Sequence, residues 1–144
     1  KSFNHSRIDE DINSEAVEEW VIINTEQAIH PFHIHVNSFQ VKEIVSAFLP
    51  NSTFTNYVTN TLSPPNRWRD VVLVPPKGYA RIWIQYKTNG HQFLGKSIFH
   101  CHFMAHEDSG MMGTMLLHHE NTTKNTTTNT TKNTKISLKE DENN

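Results

Sequence analysis

The stretch SIFHCHFMAHEDSGMM, residues 97–112, decides how this sequence is interpreted, because a cysteine, three histidines and a spaced methionine fall close together in it. Its first part, 97–102, is predicted to form a strand, and the side chains of a strand alternate between two faces. His100 and His102 then point to one face and Cys101 to the other. One strand can therefore supply two metal sites on its opposite sides.

Cys101 is followed by His106 and Met111 in a C-x4-H-x4-M spacing. A thiolate, an imidazole and a weak thioether match the ligand set of blue-copper sites, which also needs a second histidine. Zinc would favour a closed tetrahedral set with more cysteine or histidine and no methionine. A lone cysteine beside a histidine is often a packed core residue, but the density of metal-binding side chains here disfavours that interpretation. The segment predicts a copper site.

A second motif, HPFHIH at 30–35, supplies the missing histidine. His33 and His35 share one face of an extended segment, while Pro31 keeps His30 extended and apart from that pair. Alone, the H-x-H pair could be a chance alternation or a zinc half-site. Together the two motifs predict two groups of side chains: His30, Cys101, His106 and Met111 in one, and His33, His35, His100 and His102 in the other.

The rest of the chain indicates an all-β domain. Its apolar runs are short and rich in β-branched and aromatic residues: 20–23, 39–45, 71–74, 82–86, 98–101 and 115–117. Turn-forming residues separate them, at 63–66, 75–78 and 88–90. The one predicted helical turn is 103–109. This pattern is typical of an antiparallel sandwich or barrel.

Composition limits the possible classes of protein. The chain has 144 residues, a net charge of −2 and a pI near 6.6, so nothing indicates a nucleic-acid partner. No apolar run approaches the roughly 20 residues of a membrane span. Residues 121–144 are rich in Asn, Thr and Lys, and we expect a disordered tail there, with the folded domain at 1–120. The chain begins without Met or a signal pattern, which suggests a piece of a longer or processed protein.

Five N-glycosylation sequons favour a secreted, glycosylated protein. They begin at Asn4, Asn51, Asn121, Asn125 and Asn129. The alternative is that an Asn- and Thr-rich composition generates the three in the tail by itself. The single cysteine permits no disulfide within the chain and says little about the redox compartment.

These motifs resemble the last cupredoxin domain of multicopper oxidases, the family of laccases, bilirubin oxidases, spore-coat laccases and cuprous oxidases. The resemblance covers about residues 3–118 and includes RIDE at 7–10, EEWVIIN at 18–24 and WRDVVLVPP at 68–76. It implies a cupredoxin-like Greek-key β-sandwich with a short helical turn after the HCH strand. Fungal laccases usually have Leu or Phe where this chain has Met111, so HEDSGMM at 106–112 is more similar to the branch of bilirubin oxidases, spore-coat laccases and bacterial cuprous oxidases.

The resemblance implies a role for each copper ligand. Type 1 copper would be bound by His30, Cys101, His106 and axial Met111. Type 2 copper would be bound by His33, and the type 3 pair by His35, His100 and His102. In the family, single electrons from a reducing substrate pass from type 1 copper through Cys101 to the three-copper cluster, where dioxygen is reduced to water.

The resemblance also implies what this chain does not supply. The cluster of the family needs eight histidines, of which four are here, so an N-terminal cupredoxin domain of the same or another chain is expected to complete it. Glu107 matches a proton-relaying acid, and Glu26 could orient His30. Asp70 is expected to be a structural hydrogen-bonding residue. We expect core or pocket-lining positions for the methionines other than Met111: Met104, Met112 and Met115.

Three alternatives differ in class. The first is the oxidase domain described above. The second is a single-domain blue-copper electron-transfer protein, which has no need for the four additional histidines. The third is a copper nitrite reductase, which is not expected to flank its type 1 cysteine with histidines on both sides. The reducing substrate (phenol, pigment, amine or metal ion) is not specified by these residues.

Overall fold

The computed structural model describes residues 3–46, 67–88, 90–119 and 132–139. These residues form twelve strands and one short helix in chain order. The first six strands are β1 (Glu10–Asn13), β2 (Val17–Asn24), β3 (His30–Ile34), β4 (Phe39–Ser46), β5 (Trp68–Arg69) and β6 (Val71–Val74). The remaining elements are β7 (Gly78–Gln85), β8 (Lys87–Thr88), β9 (His91–Gln92), β10 (Gly95–Cys101), α1 (Met104–Asp108), β11 (Met112–His118) and β12 (Lys132–Leu138).

Two five-stranded sheets form the domain, with strand orders β1-β11-β10-β3-β6 and β12-β2-β7-β4-β5. The burial pattern of β2 shows why the two sheets pack together. Every second residue from Glu18 to Asn24 is buried on the inner face, while its neighbours are not. The predicted all-β sandwich is therefore confirmed. Five of the six predicted runs lie within strands, and 82–86 extends one residue beyond β7. The turn predicted at 63–66 lies outside the described residues.

Aromatic side chains fill the centre of the sandwich close to the two histidine motifs. Trp20 and Phe99 pack edge to face with ring centroids 5.4 Å apart, and Phe32 lies 6.0 Å from Phe99. Gly113 faces Phe99 across β10 and β11, and a Cβ there would lie 2.2 Å from the Phe99 Cζ atom. Only glycine leaves room for this ring, which fixes the packing at the carboxyl end of β10.

The expectation of a disordered tail is wrong for β12. This strand pairs in parallel with β2 over its whole length, from Lys132↔Glu18 to Leu138↔Asn24. Thr134, Ile136 and Leu138 are buried, while the residues between them are exposed. The reason is a period-two apolar pattern within a polar composition, which suits the edge of a half-buried sheet. Residues 121–131 and 140–144 of the predicted tail lie outside the described residues.

No helix among the described residues is long and apolar enough to cross a membrane. The predicted helical turn is confirmed as α1, and its backbone continues into a compact loop. The Gly110 amide donates to the Glu107 carbonyl, and Gly110 itself has a φ of 88°, which favours glycine. This loop returns the chain to sheet pairing at β11, immediately beside the end of β10.

Candidate metal centre

The two histidine motifs lie on neighbouring strands. β3 and β10 are antiparallel partners, with His33 opposite His100 and Phe32 opposite Cys101. The His102 amide donates to the Pro31 carbonyl at 2.7 Å and extends this contact past the end of β10. Because side chains alternate on each strand, the two motifs place one set of ligands inside the sandwich and another set on its outer face.

The first group, called the thiolate site, consists of His30, Cys101 and His106. The Nδ1 atoms of His30 and His106 are 3.1 Å apart. The Cys101 Sγ atom lies 3.5 Å from the His30 Nδ1 atom and 3.4 Å from the His106 Nδ1 atom. His30 and Cys101 are fully buried, and His106 is half-buried in the middle of α1.

This triangle of atoms fits a single metal ion. An ion at its centre would lie about 2 Å from each of the three atoms, close to the usual metal–nitrogen and metal–sulfur bond lengths. One thiolate and two imidazoles in a trigonal arrangement are the ligand set of blue-copper sites. The residues therefore fit copper at this position, as predicted from their types and spacing.

Met111, the predicted axial ligand, is held beside the thiolate site by its backbone. Its amide donates to the His106 carbonyl at 2.9 Å, and its carbonyl accepts from the Cys101 amide at 3.0 Å. The side chain is 7% exposed. The backbone hydrogen bonds of Met111 therefore tie this predicted fourth ligand to Cys101 and His106, while coordination by its sulfur stays a prediction.

The second group, called the four-histidine site, consists of His33, His35, His100 and His102. The His33 ring lies 4.7 Å from the ring of His35, 5.2 Å from that of His100 and 5.1 Å from that of His102, between centroids. The Nε2 atoms of His35 and His100 are 3.2 Å apart. The nitrogen atoms of His33, His35 and His100 lie close enough together to hold a metal ion.

Hydrogen bonds orient two of these rings. The His33 Nδ1 atom lies 2.8 Å from the Asp70 carbonyl oxygen, and the His100 Nδ1 atom lies 3.1 Å from the Cys101 carbonyl oxygen. Donation from Nδ1 to a carbonyl leaves Nε2 with its lone pair available for a metal. Asp70 thus contacts His33 through its backbone carbonyl, while the structural hydrogen-bonding role of its side chain stays a prediction. The hydrogen bond between the His33 ring and the Asp70 carbonyl depends on the pairing of β3 with β6, which the sequence alone does not reveal.

Electrostatics favour the neutral, metal-binding form of His35. Partial burial lowers the pKa of His35 below its usual value of 6.5, and the positive charges that His33 and His100 would carry lower it further. Neutral imidazole is the form that binds metals. Neighbouring imidazoles therefore weaken the protonation of His35 at the same place where they concentrate ligands.

The two groups differ in their access to solvent. His30 and Cys101 are 0% exposed, so the thiolate site is enclosed within this one domain. His35 and His102 are exposed, although His100 beneath them is buried. The four-histidine site therefore presents part of its ligand set at the surface, where further ligands could reach it.

Glu107 lies beside the four-histidine site, as its prediction requires. Its Oε2 atom is 3.3 Å from the His100 Nδ1 atom, and its side chain is 38% exposed. Glu26 is connected through its backbone to the Asn24 side chain and the Lys77 amide, and its orienting role toward His30 stays a prediction. The expectation for Met104 is wrong, because this side chain is 78% exposed on α1.

A β-sandwich that holds a cysteine and two histidines in this arrangement defines a cupredoxin-like domain. A family model described as multicopper oxidase matches residues 1–121. The chain is 32% identical over 117 residues to multicopper oxidase mco of Staphylococcus aureus, a match that covers 78% of this chain and 22% of that protein. The chain belongs to the multicopper oxidase family.

Other relatives and solved structures agree with this assignment. A laccase of Bacillus subtilis is 27% identical over 117 residues, covering 77% of this chain and 22% of the laccase. The multicopper oxidase of Campylobacter jejuni, described as a metallo-oxidase, superposes with a TM-score of 0.61 at 31% identity, covering 81% of this chain and 22% of that one. A multicopper oxidase of Pediococcus acidilactici gives 0.66 at 28% identity, with 84% and 23% covered. The chain thus spans about a fifth of the length of these relatives.

Proposed function

We propose that this chain is the electron-entry domain of an oxidase that takes single electrons from a reducing substrate and delivers them to dioxygen. The thiolate site, with Met111 as axial ligand, would hold type 1 copper. His33 would bind type 2 copper, and His35, His100 and His102 the type 3 pair. When bound, copper would supply one-electron redox chemistry at the first site and reduction of dioxygen to water at the second.

The observation that carries this proposal is the position of Cys101 between the two groups. Its Sγ atom belongs to the thiolate site, and its carbonyl oxygen accepts a hydrogen bond from the His100 ring of the four-histidine site at 3.1 Å. Peptide bonds also join Cys101 directly to both flanking histidines. The same residue therefore provides covalent and hydrogen-bonded connections from one site to the other.

A single-domain electron carrier is the alternative, and the four-histidine site argues against it. Such a carrier has no use for four imidazoles gathered on the outer face of β3 and β10. A metal-binding role explains both the crowding and the oriented Nδ1 atoms. The arrangement therefore supports a domain built to share a copper cluster.

The proposed partner is an N-terminal cupredoxin domain, in the same or another chain, that supplies the remaining histidines. The exposure of His35 and His102 and the share of the relatives' length that this chain spans support this part of the proposal. The substrate would be a phenol, a pigment, an aromatic amine or a metal ion. Secretion of the protein stays a prediction.

Glu107 is the proposed proton donor for oxygen reduction. Its carboxylate reaches the buried His100 ring while part of the side chain stays in contact with solvent. A carboxyl group in that position can take protons from water and deliver them next to the histidine cluster. We propose no role for the neighbouring Asp108, which is exposed at the end of α1.

Copper reconstitution of this chain tests the proposal. We expect one tightly bound copper with the intense blue absorption of a thiolate-bound ion, and no type 2 signal in the EPR spectrum. Met111→Leu should retain the absorption and shift the reduction potential, because the axial ligand tunes that potential. Met104→Leu is the matched control and should shift neither. A full complement of four coppers in the monomeric chain, or no blue absorption, would contradict the proposal.

A further inference from the structure

His118, the last residue of β11, lies between two hydrogen-bond acceptors. Its Nε2 atom is 2.8 Å from the Asp11 Oδ1 atom, and its Nδ1 atom is 2.7 Å from the His119 carbonyl oxygen. A carboxylate and a carbonyl oxygen can only accept hydrogen bonds, so each contact requires a proton on the ring nitrogen. Neutral imidazole carries one such proton and imidazolium carries two. The contacts of His118 therefore suit the doubly protonated, positively charged ring.

The contact between His118 and Asp11 joins two neighbouring strands. β1 and β11 pair in parallel, and Asp11 lies opposite Leu116, two residues before His118. Because residues two apart share one face of a strand, the Asp11 and His118 side chains meet on the same face of the sheet. β1 is at the edge of this sheet, with β11 as its neighbour. The ion pair therefore ties an edge strand to the interior of its sheet.

The two ends of β1 are held to β11 in different ways. Just after β1, the Ser14 amide and hydroxyl both donate to the His118 carbonyl, at 3.0 Å and 2.8 Å. Just before β1, the Asp9 amide donates to the Thr114 carbonyl at 2.8 Å, and the Asp9 carboxylate accepts from the Thr114 amide at 2.9 Å. A change in the protonation of His118 is therefore expected to loosen the Ser14 end and to leave the Asp9 end in place.

Other charged groups lie on the elements next to this contact. Lys96 of β10 lies across β11 from Asp11, since both pair with the same residue of β11. Glu15 accepts a hydrogen bond from the Lys87 Nζ atom at 2.8 Å, and its Oε1 atom is 3.3 Å from the His119 Nδ1 atom. The hydrogen bond from Lys87 lowers the pKa of Glu15 below its usual value of 4.5. Glu15 therefore stays charged over the pH range in which histidines titrate.

We propose that Asp11, Ser14 and His118 form a pH-sensitive clamp, which fixes the end of β1 to β11 in mildly acidic solution and releases it in mildly alkaline solution. Histidine rings lose one of their two protons between about pH 5 and 8. When the His118 ring loses its proton, one nitrogen presents a lone pair to an oxygen atom, and that hydrogen bond is lost. The clamp therefore contributes to stability on the acidic side of this range. It goes beyond the proposed function and does not depend on copper.

Hydrogen exchange tests the clamp at both ends of β1. The full copper-free chain is followed by NMR between about pH 5.5 and 8, and each exchange rate is expressed as a protection factor, which corrects for the intrinsic effect of pH on exchange. Protection of the Ser14 amide should fall about twofold to fivefold as the pH rises, the range expected for an exposed ion pair. Protection of the Asp9 amide should stay constant, because its partner is the Thr114 carbonyl.

Two substitutions separate the effect of the proton from that of the contact. An asparagine side chain both donates and accepts, so Asp11→Asn lets a neutral His118 ring keep both hydrogen bonds, and Ser14 protection should stay high at every pH. His118→Gln cannot titrate and should give low protection of Ser14 at every pH. His5→Gln removes an exposed histidine before β1 and should retain the full decline. Constant Ser14 protection in the unsubstituted chain, an equal decline at Asp9, or an unchanged decline in Asp11→Asn would overturn the proposal.

Discussion

At the residue scale, Tyr86 places a titratable hydroxyl in the interior. Its side chain is fully buried, and its hydroxyl lies 3.8 Å from the Met115 sulfur, which is a weak acceptor. Burial raises the pKa of Tyr86 well above its usual value of 10.0, and the nearby acids Glu18 and Glu10 raise it further. The folded protein therefore keeps this phenol neutral at pH values where the unfolded chain ionises it.

This difference predicts a loss of stability in alkaline solution. Tyr86 contributes fully to the free energy of unfolding at pH values below its pKa in the unfolded chain, which is near 10. This contribution is lost as the pH rises toward the higher pKa of Tyr86 in the folded protein. Tyr86→Phe should therefore reduce the decline in the free energy of unfolding between about pH 9.5 and 11, as measured by urea denaturation. At pH 7 the substitution should cost less than about 1 kcal/mol, since the lost hydrogen bond is weak. Equal declines in both proteins would contradict the assignment.

At the element scale, sequence alone predicted the division of the ligands because strand alternation is a local property. His100 and His102 oppose Cys101 on β10 whatever the rest of the fold does. The partnership of β3 with β10 could be predicted only from the complementary chemistry of their motifs. The hydrogen bond from His33 to the Asp70 carbonyl could not be predicted, since it depends on where β6 begins relative to β3.

The alternation of side chains along a strand also explains why the composition of residues 121–144 did not predict β12. Composition averages over a segment, whereas burial on a sheet depends on every second residue. Ile136 and Leu138 are the only apolar residues of β12, yet both lie on its inward face with Thr134, whose hydroxyl donates to the buried Glu18 carboxylate at 3.2 Å. A polar strand can therefore be firmly docked when its few apolar residues have the right period.

The docking of β12 can be tested by substitution on its two faces. Ile136→Ala should destabilise the docked strand by about 2–4 kcal/mol, because the residue is 8% exposed and its removal leaves a cavity. Ser137→Ala, on the exposed face, should change stability by no more than about 0.5 kcal/mol. Hydrogen exchange measures the effect directly, since the β2 amides that pair with β12 should exchange faster in the first variant only. Equal exchange in the two variants would mean that β12 does not cover β2 in solution.

At the scale of the whole molecule, the two sites differ in how far the described residues of this chain enclose them. The thiolate site is enclosed by residues of this chain, so it should form without any partner. The four-histidine site reaches the surface through His35 and His102, and under the proposed function it works only when a second domain covers it. The same substitution can therefore have different effects in this chain and in a longer oxidase.

The substitutions Cys101→Ser and His100→Ala distinguish the thiolate site from the four-histidine site. In the copper-loaded chain, Cys101→Ser should abolish the intense blue absorption, because Cys101 is the one cysteine present. His100→Ala should retain it, since the His100 ring lies on the opposite face of β10, among the histidines. In an oxidase that also contains the N-terminal domain, both substitutions should lower oxygen uptake by at least about 100-fold. His119→Ala, at an exposed position beyond β11, is the control and should change neither measurement. Loss of the blue absorption in His100→Ala would mean that the two sites are not independent, and the division of ligands by strand face would have to be revised.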